Sequence, residues 1–259
     1  MKTKTTLSLT IAVAMAAASA SAAVVVNDTA TFTTAPDNTG GSGPSFTITS
    51  SDLTSPDGFD ASSSDKLILT FGSEYLTNTV SSITYGGTSI EFAMTSALLA
   101  GDSNRGMFTY YLDNPAAGDL VVTFSGSTNG IGGSLFAVSG TKDGTAGIGA
   151  TDNTGAALTT TANGSLLIAA GIRNDNTATT SGLTISAPYT GVFDQPVGSS
   201  VGGSGYYVAG ASGEEVSYSF TPGADFSGSV EFVAVPEPSS FALLAGMFGL
   251  TWVMLRRRS

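Results

Sequence analysis

Cysteine and histidine are both absent from this 259-residue chain, a single Trp occurs, and Lys and Arg together number nine. The first two absences remove Ser-His-Asp and Cys-His catalysis, every disulfide, and Cys/His zinc or haem sites. Carboxylate, hydroxyl and amide chemistry is what remains, and no cofactor is expected. The shortage of bases, against 20 acids and a net charge of −11, speaks against a nucleic-acid partner, because neutralising phosphates needs clustered Lys and Arg. Both the apolar residues and the bases are unevenly spread, and the two ends of the chain explain why.

At the N-terminus, Lys2 and Lys4 precede the apolar run Leu7 to Ala18 and the small-residue pattern Ala20-Ser21-Ala22. This predicts a secretory signal peptide cut near Ala22 or Ala23, since about 12 apolar residues are too few to span a bilayer that needs roughly 20. At the C-terminus, Val235-Pro236-Glu237-Pro238 is followed by the apolar run Phe241 to Leu255 and then by Arg256, Arg257 and Arg258. Two closely spaced prolines end strand pairing and leave an extended, accessible peptide. The apolar run predicts a single transmembrane helix, helped across by snorkelling of Arg256, with the arginines on the cytoplasmic side and the body of the protein outside the inner membrane.

This tail resembles the PEP-CTERM sorting signal of exported bacterial proteins in its motif, its helix, its basic cluster and their order. The resemblance covers only the last 24 or so residues. It implies recognition of Pro236, Glu237 and Pro238 by a membrane-embedded transpeptidase, an exosortase, which cuts near the motif and releases or reattaches the ectodomain. It further implies a Gram-negative source, with the protein held at the inner membrane before processing and then delivered to the cell surface or the extracellular, biofilm-forming matrix. The alternative is a plain membrane anchor. The expected division is therefore a signal peptide over 1–22, an ectodomain over 23–234, and a sorting signal over 235–259.

Five of the nine bases lie in those ends, so the exported body keeps four bases against nineteen acids and carries −15. Its pattern is all-β. Short runs rich in Val, Ile, Phe, Tyr and Thr, such as Lys66 to Phe71, Val80 to Tyr85, Gly106 to Leu112, Ser165 to Ile172 and Ser229 to Ala234, are separated by Gly, Asn, Asp and Pro, and none holds a helical period. Gly86-Gly87 predicts a tight hairpin, and Asn114-Pro115-Ala116-Ala117-Gly118 predicts a longer turn between two further antiparallel neighbours. About twelve strands with uneven connections predict a two-sheet antiparallel sandwich, jelly-roll-like rather than an up-and-down barrel. The order of Tyr85-Gly86-Gly87-Thr88, Tyr110-Tyr111-Leu112, Val121 to Gly126 and Val138-Ser139-Gly140 is similar to a jelly-roll-like module of exported bacterial proteins, which implies no particular activity.

Catalytic residues cannot be picked out. A glycosidase needs a pair of carboxylates, and Glu74, Glu91, Glu214, Glu215 and Glu231 supply no distinguishable pair; Glu91 and Glu231, inside apolar strand runs, are expected on an outer, solvated face. With Trp252 in the apolar tail, a sugar platform would have to use Tyr110, Tyr111, Tyr206 and Tyr207, one ring of each adjacent pair pointing outward. Asp102 with Asn104, Asp175 between Asn174 and Asn176, and Asp152-Asn153 offer oxygen ligands to calcium but lack the spacing of a known calcium loop; turn residues are the simpler reading. Two functional classes remain: a non-enzymatic structural or adhesive protein of the cell surface or matrix, and a carbohydrate-binding or carbohydrate-active exoprotein acting on exopolysaccharide.

Overall fold

The computed structural model describes residues 22–33, 43–55, 57–74, 79–92, 100–101, 105–128, 130–174, 182–197, 200–235, 246–248, 251–252, 254 and 256. Nearly every β-branched or aromatic run is a strand. In chain order the first half holds β1 (Val25–Thr33), β2 (Gly43–Ile48), β3 (Lys66–Glu74), β4 (Val80–Tyr85), β5 (Thr88–Ser89), β6 (Glu91–Phe92), β7 (Ala100–Gly101), β8 (Arg105–Asp113), β9 (Leu120–Thr128) and β10 (Ile131–Ser139). The second half holds β11 (Ile148–Asp152), β12 (Ala157–Thr159), β13 (Leu166–Asn174), β14 (Thr184–Ile185), β15 (Thr190–Phe193), β16 (Pro196–Val197), β17 (Ser200–Val208), β18 (Glu215–Ser217), β19 (Phe220–Thr221) and β20 (Phe226–Phe232). All pairing is antiparallel.

The body is all-β, but its strands form five sheets among the described residues rather than the expected two. An outer sheet, β2-β9-β4-β5, covers one face of a second sheet ordered β1-β10-β3-β8-β6, with β7 also on β8. Between them lies a core containing Leu67, Leu69, Phe71, Tyr110, Leu112, Val122 and Phe124. Ile68, Met107, Tyr111 and Phe136, on the other face of that second sheet, pack against Leu166, Ile168, Val230 and Phe232 of a third, β11-β20-β13-β17-β15 with β16 on β17. Leu167, Ala169 and Val201 then face Leu158, Val216, Tyr218 and Phe220, carried by the small sheets β12-β18 and β14-β19 and the segment joining β18 to β19. The two middle sheets are thus covered on both faces. Their inner strands β10 and β13 are accordingly buried along nearly their whole length, whereas β4 and β9 of the outer sheet alternate.

The two expected turns divide. Gly86 and Gly87 adopt φ of 54° and 78°, the positive values a primed two-residue turn requires, and Tyr85 pairs with Thr88 across it. The segment after β8 is not a hairpin. Both edges of β8 are already occupied, by β3 on one side and by β6 and β7 on the other, so the chain crosses from Asp113 to Leu120 into the outer sheet, where β9 pairs with β2 and β4.

The two halves share one connectivity. In the first, the opening strand β1 pairs with the closing β10, which pairs with β3, which pairs with β8; in the second, β11, β20, β13 and β17 follow the same order. The facing sheet runs β2-β9-β4 in the first half, and its counterpart is β12-β18 with β14-β19, where β18 and β19 are two pieces of one run. Small residues let the halves approach closely. The rings and methyls of Phe193 and Val197 would lie 3.1 Å from a Cβ at Gly132, and the Ile172 methyl would lie 3.2 Å from one at Gly72. Beside this wedge, the buried hydroxyls of Ser134 and Ser204 meet at 2.6 Å across the two middle sheets.

The compact body extends to Val235. The described residues of the apolar tail have helical backbone, with the Thr251 hydroxyl donating to the Met247 carbonyl at 2.8 Å and with Met247, Phe248, Trp252, Met254 and Arg256 exposed. No helix among the described residues is long and apolar enough to cross a membrane. Pro236, Glu237, Pro238, Phe241, Leu255, Arg257 and Arg258 lie outside the described residues, as do residues 1–21.

Candidate functional site

The tyrosine platform is half dismantled by the layering. Tyr110 and Tyr111 are both inside, at 9 % and 1 % exposure, because β8 has a core on each face: Tyr110 stacks on Phe71 at 5.9 Å, and Tyr111 meets Phe232 edge-on at 6.5 Å. Burial pushes the Tyr110 hydroxyl pKa well above the ordinary phenol value. Tyr206 and Tyr207, their counterparts on β17, are half-buried. The ring of Tyr206 packs against Phe136 at 6.1 Å, and Tyr207 donates its hydroxyl to Oε1 of Glu214 at 2.8 Å. Glu214 in turn accepts the Gly210 N–H at 3.0 Å, closing the turn before β18. Removing only the hydroxyl, in Tyr207→Phe, is expected to cost about 1 kcal/mol, the worth of one such bond at a half-exposed site; a urea midpoint indistinguishable from that of the parent would refute that role.

Glu231 is not on a solvated face. Its neighbours Val230 and Phe232 face the central core, as the two-residue period requires, but the opposite face of β20 is covered as well, leaving Glu231 at 0 % exposure. Its carboxylate is instead fully employed. Oε2 accepts the Ala150 N–H at 2.8 Å and the Thr161 hydroxyl at 2.8 Å, while Oε1 accepts the Thr161 N–H at 2.9 Å and the Ala162 N–H at 3.2 Å. A Cβ at Gly149 would stand 2.2 Å from Oε2, so only glycine lets β11 come this close. Burial works to raise the pKa of Glu231, but the hydrogen bonds from Ala150, Thr161 and Ser165 outweigh it and hold the carboxyl below its ordinary value.

Asp152 plays the same part at the other end of β11. Oδ1 accepts the Thr154 hydroxyl at 2.6 Å and its N–H at 3.0 Å, and Oδ2 accepts the Tyr218 hydroxyl at 2.7 Å and the Gly155 N–H at 3.2 Å. Here too desolvation pushes the pKa up and the donors bring it down on balance. Of the proposed calcium loops, Asp152-Asn153 is therefore a turn clasp. Asp102, Asn104 and Asp175 lie outside the described residues, and among the described residues no group of three or more acids is arranged around a common metal position.

A cleft of about 260 Å³ opens beside β14 and β15, lined by Leu183, Thr184, Ile185, Gly191, Val192, Phe193 and Asp194. Its one carboxylate, Asp194, has no second acid among the lining residues, so the paired arrangement of a glycosidase is not assembled there. No protein-family model, curated protein or solved structure matches this chain.

Proposed function

We propose that the chain is an exported structural or adhesive protein of the cell surface or extracellular matrix, sorted by an exosortase through Pro236, Glu237 and Pro238. One observation carries the reading: the body is hydrogen-bonded up to Val235, the residue before the motif. Thr141 bridges Ala234, and the Val235 N–H donates to the Gly140 carbonyl at 2.8 Å. A cut at or beyond Pro236 therefore leaves every described strand of the body in place. In each half the first strand pairs the last and two sheets face each other, which supports a jelly-roll reading of the body as two such modules in tandem.

The carboxylates favour a structural role over carbohydrate chemistry, since Glu214, Glu231 and Asp152 are all engaged in holding turns. A sugar-stacking surface also loses the two tyrosines of β8, which are buried. To test the sorting reading, Pro236 and Pro238 are replaced together by Ala and the protein is followed in its host. The variant is expected to accumulate at unprocessed size in the membrane fraction; processing and release at the parent level would overturn the proposal.

A further inference from the structure

We propose that Lys66 and Asp113 form a covalent modification site, at which the two side chains condense in the folded chain to an amide that cross-links β3 to β8. Lys66 opens β3 directly opposite Asp113 in the ladder, so both side chains leave the same face of the sheet. The lysine is enclosed at 0 % side-chain exposure, and its Nζ is in contact with Oδ1 of Asp113. The Tyr111 ring lies 4.4 Å from Nζ and walls the amine off on one side. The other carboxylate oxygen, Oδ2, accepts the Gly144 N–H at 2.7 Å. A nucleophile, an electrophilic carbon and a donor for developing negative charge are thereby held at one point, inside a chain that has no cysteine and can make no disulfide.

The step balances without any co-reactant. Nζ passes a proton to Oδ1, its freed electron pair forms a bond to Cγ, and the negative charge that collects on Oδ2 is met by the Gly144 N–H. A second proton moves from Nζ to Oδ1, the Cγ–Oδ1 bond breaks, and water departs, leaving Nζ with one hydrogen in a neutral amide. Asp113, with 22 % of its side chain exposed, gives that water a way out. Condensation is unfavourable between separate molecules in water, but a positioned pair reaches effective concentrations on the order of 10⁵ M or more. It also exchanges a buried ion pair, whose desolvation is costly, for an uncharged bond.

Trypsin digestion of the denatured full chain, read by mass spectrometry, decides the matter. The expected product is a branched peptide in which the segment 106–142 is joined to the segment ending at Arg105, lighter than the two together by one water and uncut after Lys66. In Asp113→Ala, which has no carboxyl to attack, trypsin is expected to cut after Lys66 and the two peptides to separate. Cleavage after Lys66 in the parent chain, with both peptides at full mass, would overturn the proposal, and that measurement does not depend on any variant folding.

Discussion

Glu231→Ala is expected to destabilise the body by about 4 kcal/mol, because three backbone N–H groups and one hydroxyl lose their shared acceptor in a buried place and each orphaned donor costs about 1–3 kcal/mol before water and relaxation recover part of it. For a body of this size that corresponds to a fall in Tm of about 10 °C. Glu231→Gln keeps the shape but turns an NH₂ toward groups that are themselves donors, so it is expected to recover less than half of the loss. The effect also carries a pH signature. The folded-state pKa of Glu231 is depressed below the ordinary 4.5, so the stability it contributes is present in full above about that pH and is lost as pH falls through the lower, folded value. The gap between the parent and Glu231→Ala should therefore be widest near neutrality and close progressively below pH 4.5. A gap independent of pH down to the acid transition, or a parent-like Tm, would show that the carboxylate does not hold β11 and the Thr161 turn as described.

The strands themselves were legible from residue type, since β-branched and aromatic runs bounded by Gly, Asn and Pro have little alternative, and Gly86-Gly87 marked its hairpin through the φ values that only such residues adopt freely. What the local pattern does not contain is the identity of the far side of each sheet. Alternation placed Glu231 opposite Val230 and Phe232 correctly, yet whether that opposite side meets water depends on β12, β18 and the turn at Thr161, some 70 residues earlier in the chain. The adjacent tyrosines Tyr110-Tyr111 misled for the same reason. Their strand, Gly106 to Leu112, is apolar at nearly every position, which is the signature of two covered faces rather than one.

A second signal was present and is explained only by the topology. Tyr110 and Tyr206, Leu120 and Val216, and Phe124 and Phe220 are each separated by 96 positions. The first pair falls on equivalent strands, β8 and β17, and the other four residues point into the cores of their own halves. That recurrence accompanies the shared strand order of the two halves, and it is faint because most of the residues between the anchors differ in kind. The Lys66–Asp113 pair was invisible by contrast, since its members are 47 residues apart and meet only through the register of β3 and β8.

Separated into residues 24–140 and 141–235, neither half is expected to fold alone. Each would bare one side of the central core: Ile68, Met107, Tyr111, Phe136 and Val138 on the first, and Leu166, Ile168, Ile172, Val230 and Phe232 on the second. At about 1.5–3 kcal/mol for each large apolar side chain returned to water, the loss per half is on the order of 10 kcal/mol, which matches the whole stability of an ordinary domain. The damage is not confined to apolar contact. The Val24 N–H of the first half donates to the Gly164 carbonyl of the second at 2.8 Å, Thr33 reaches the Pro196 carbonyl at 3.2 Å, and the Ser134–Ser204 hydroxyl pair would be broken. Expressed singly, the fragments should be insoluble or lack a cooperative thermal transition. Co-expressed, they should recover a one-to-one complex, because the same faces re-form the central core without any chain crossing between them other than Gly140–Thr141. The intact chain should then unfold in a single transition by both fluorescence and circular dichroism, the two halves melting together because they share their middle layer. A fragment 24–140 that is monomeric and melts cooperatively near the temperature of the parent would show that the layers are merely stacked and that each module carries its own stability.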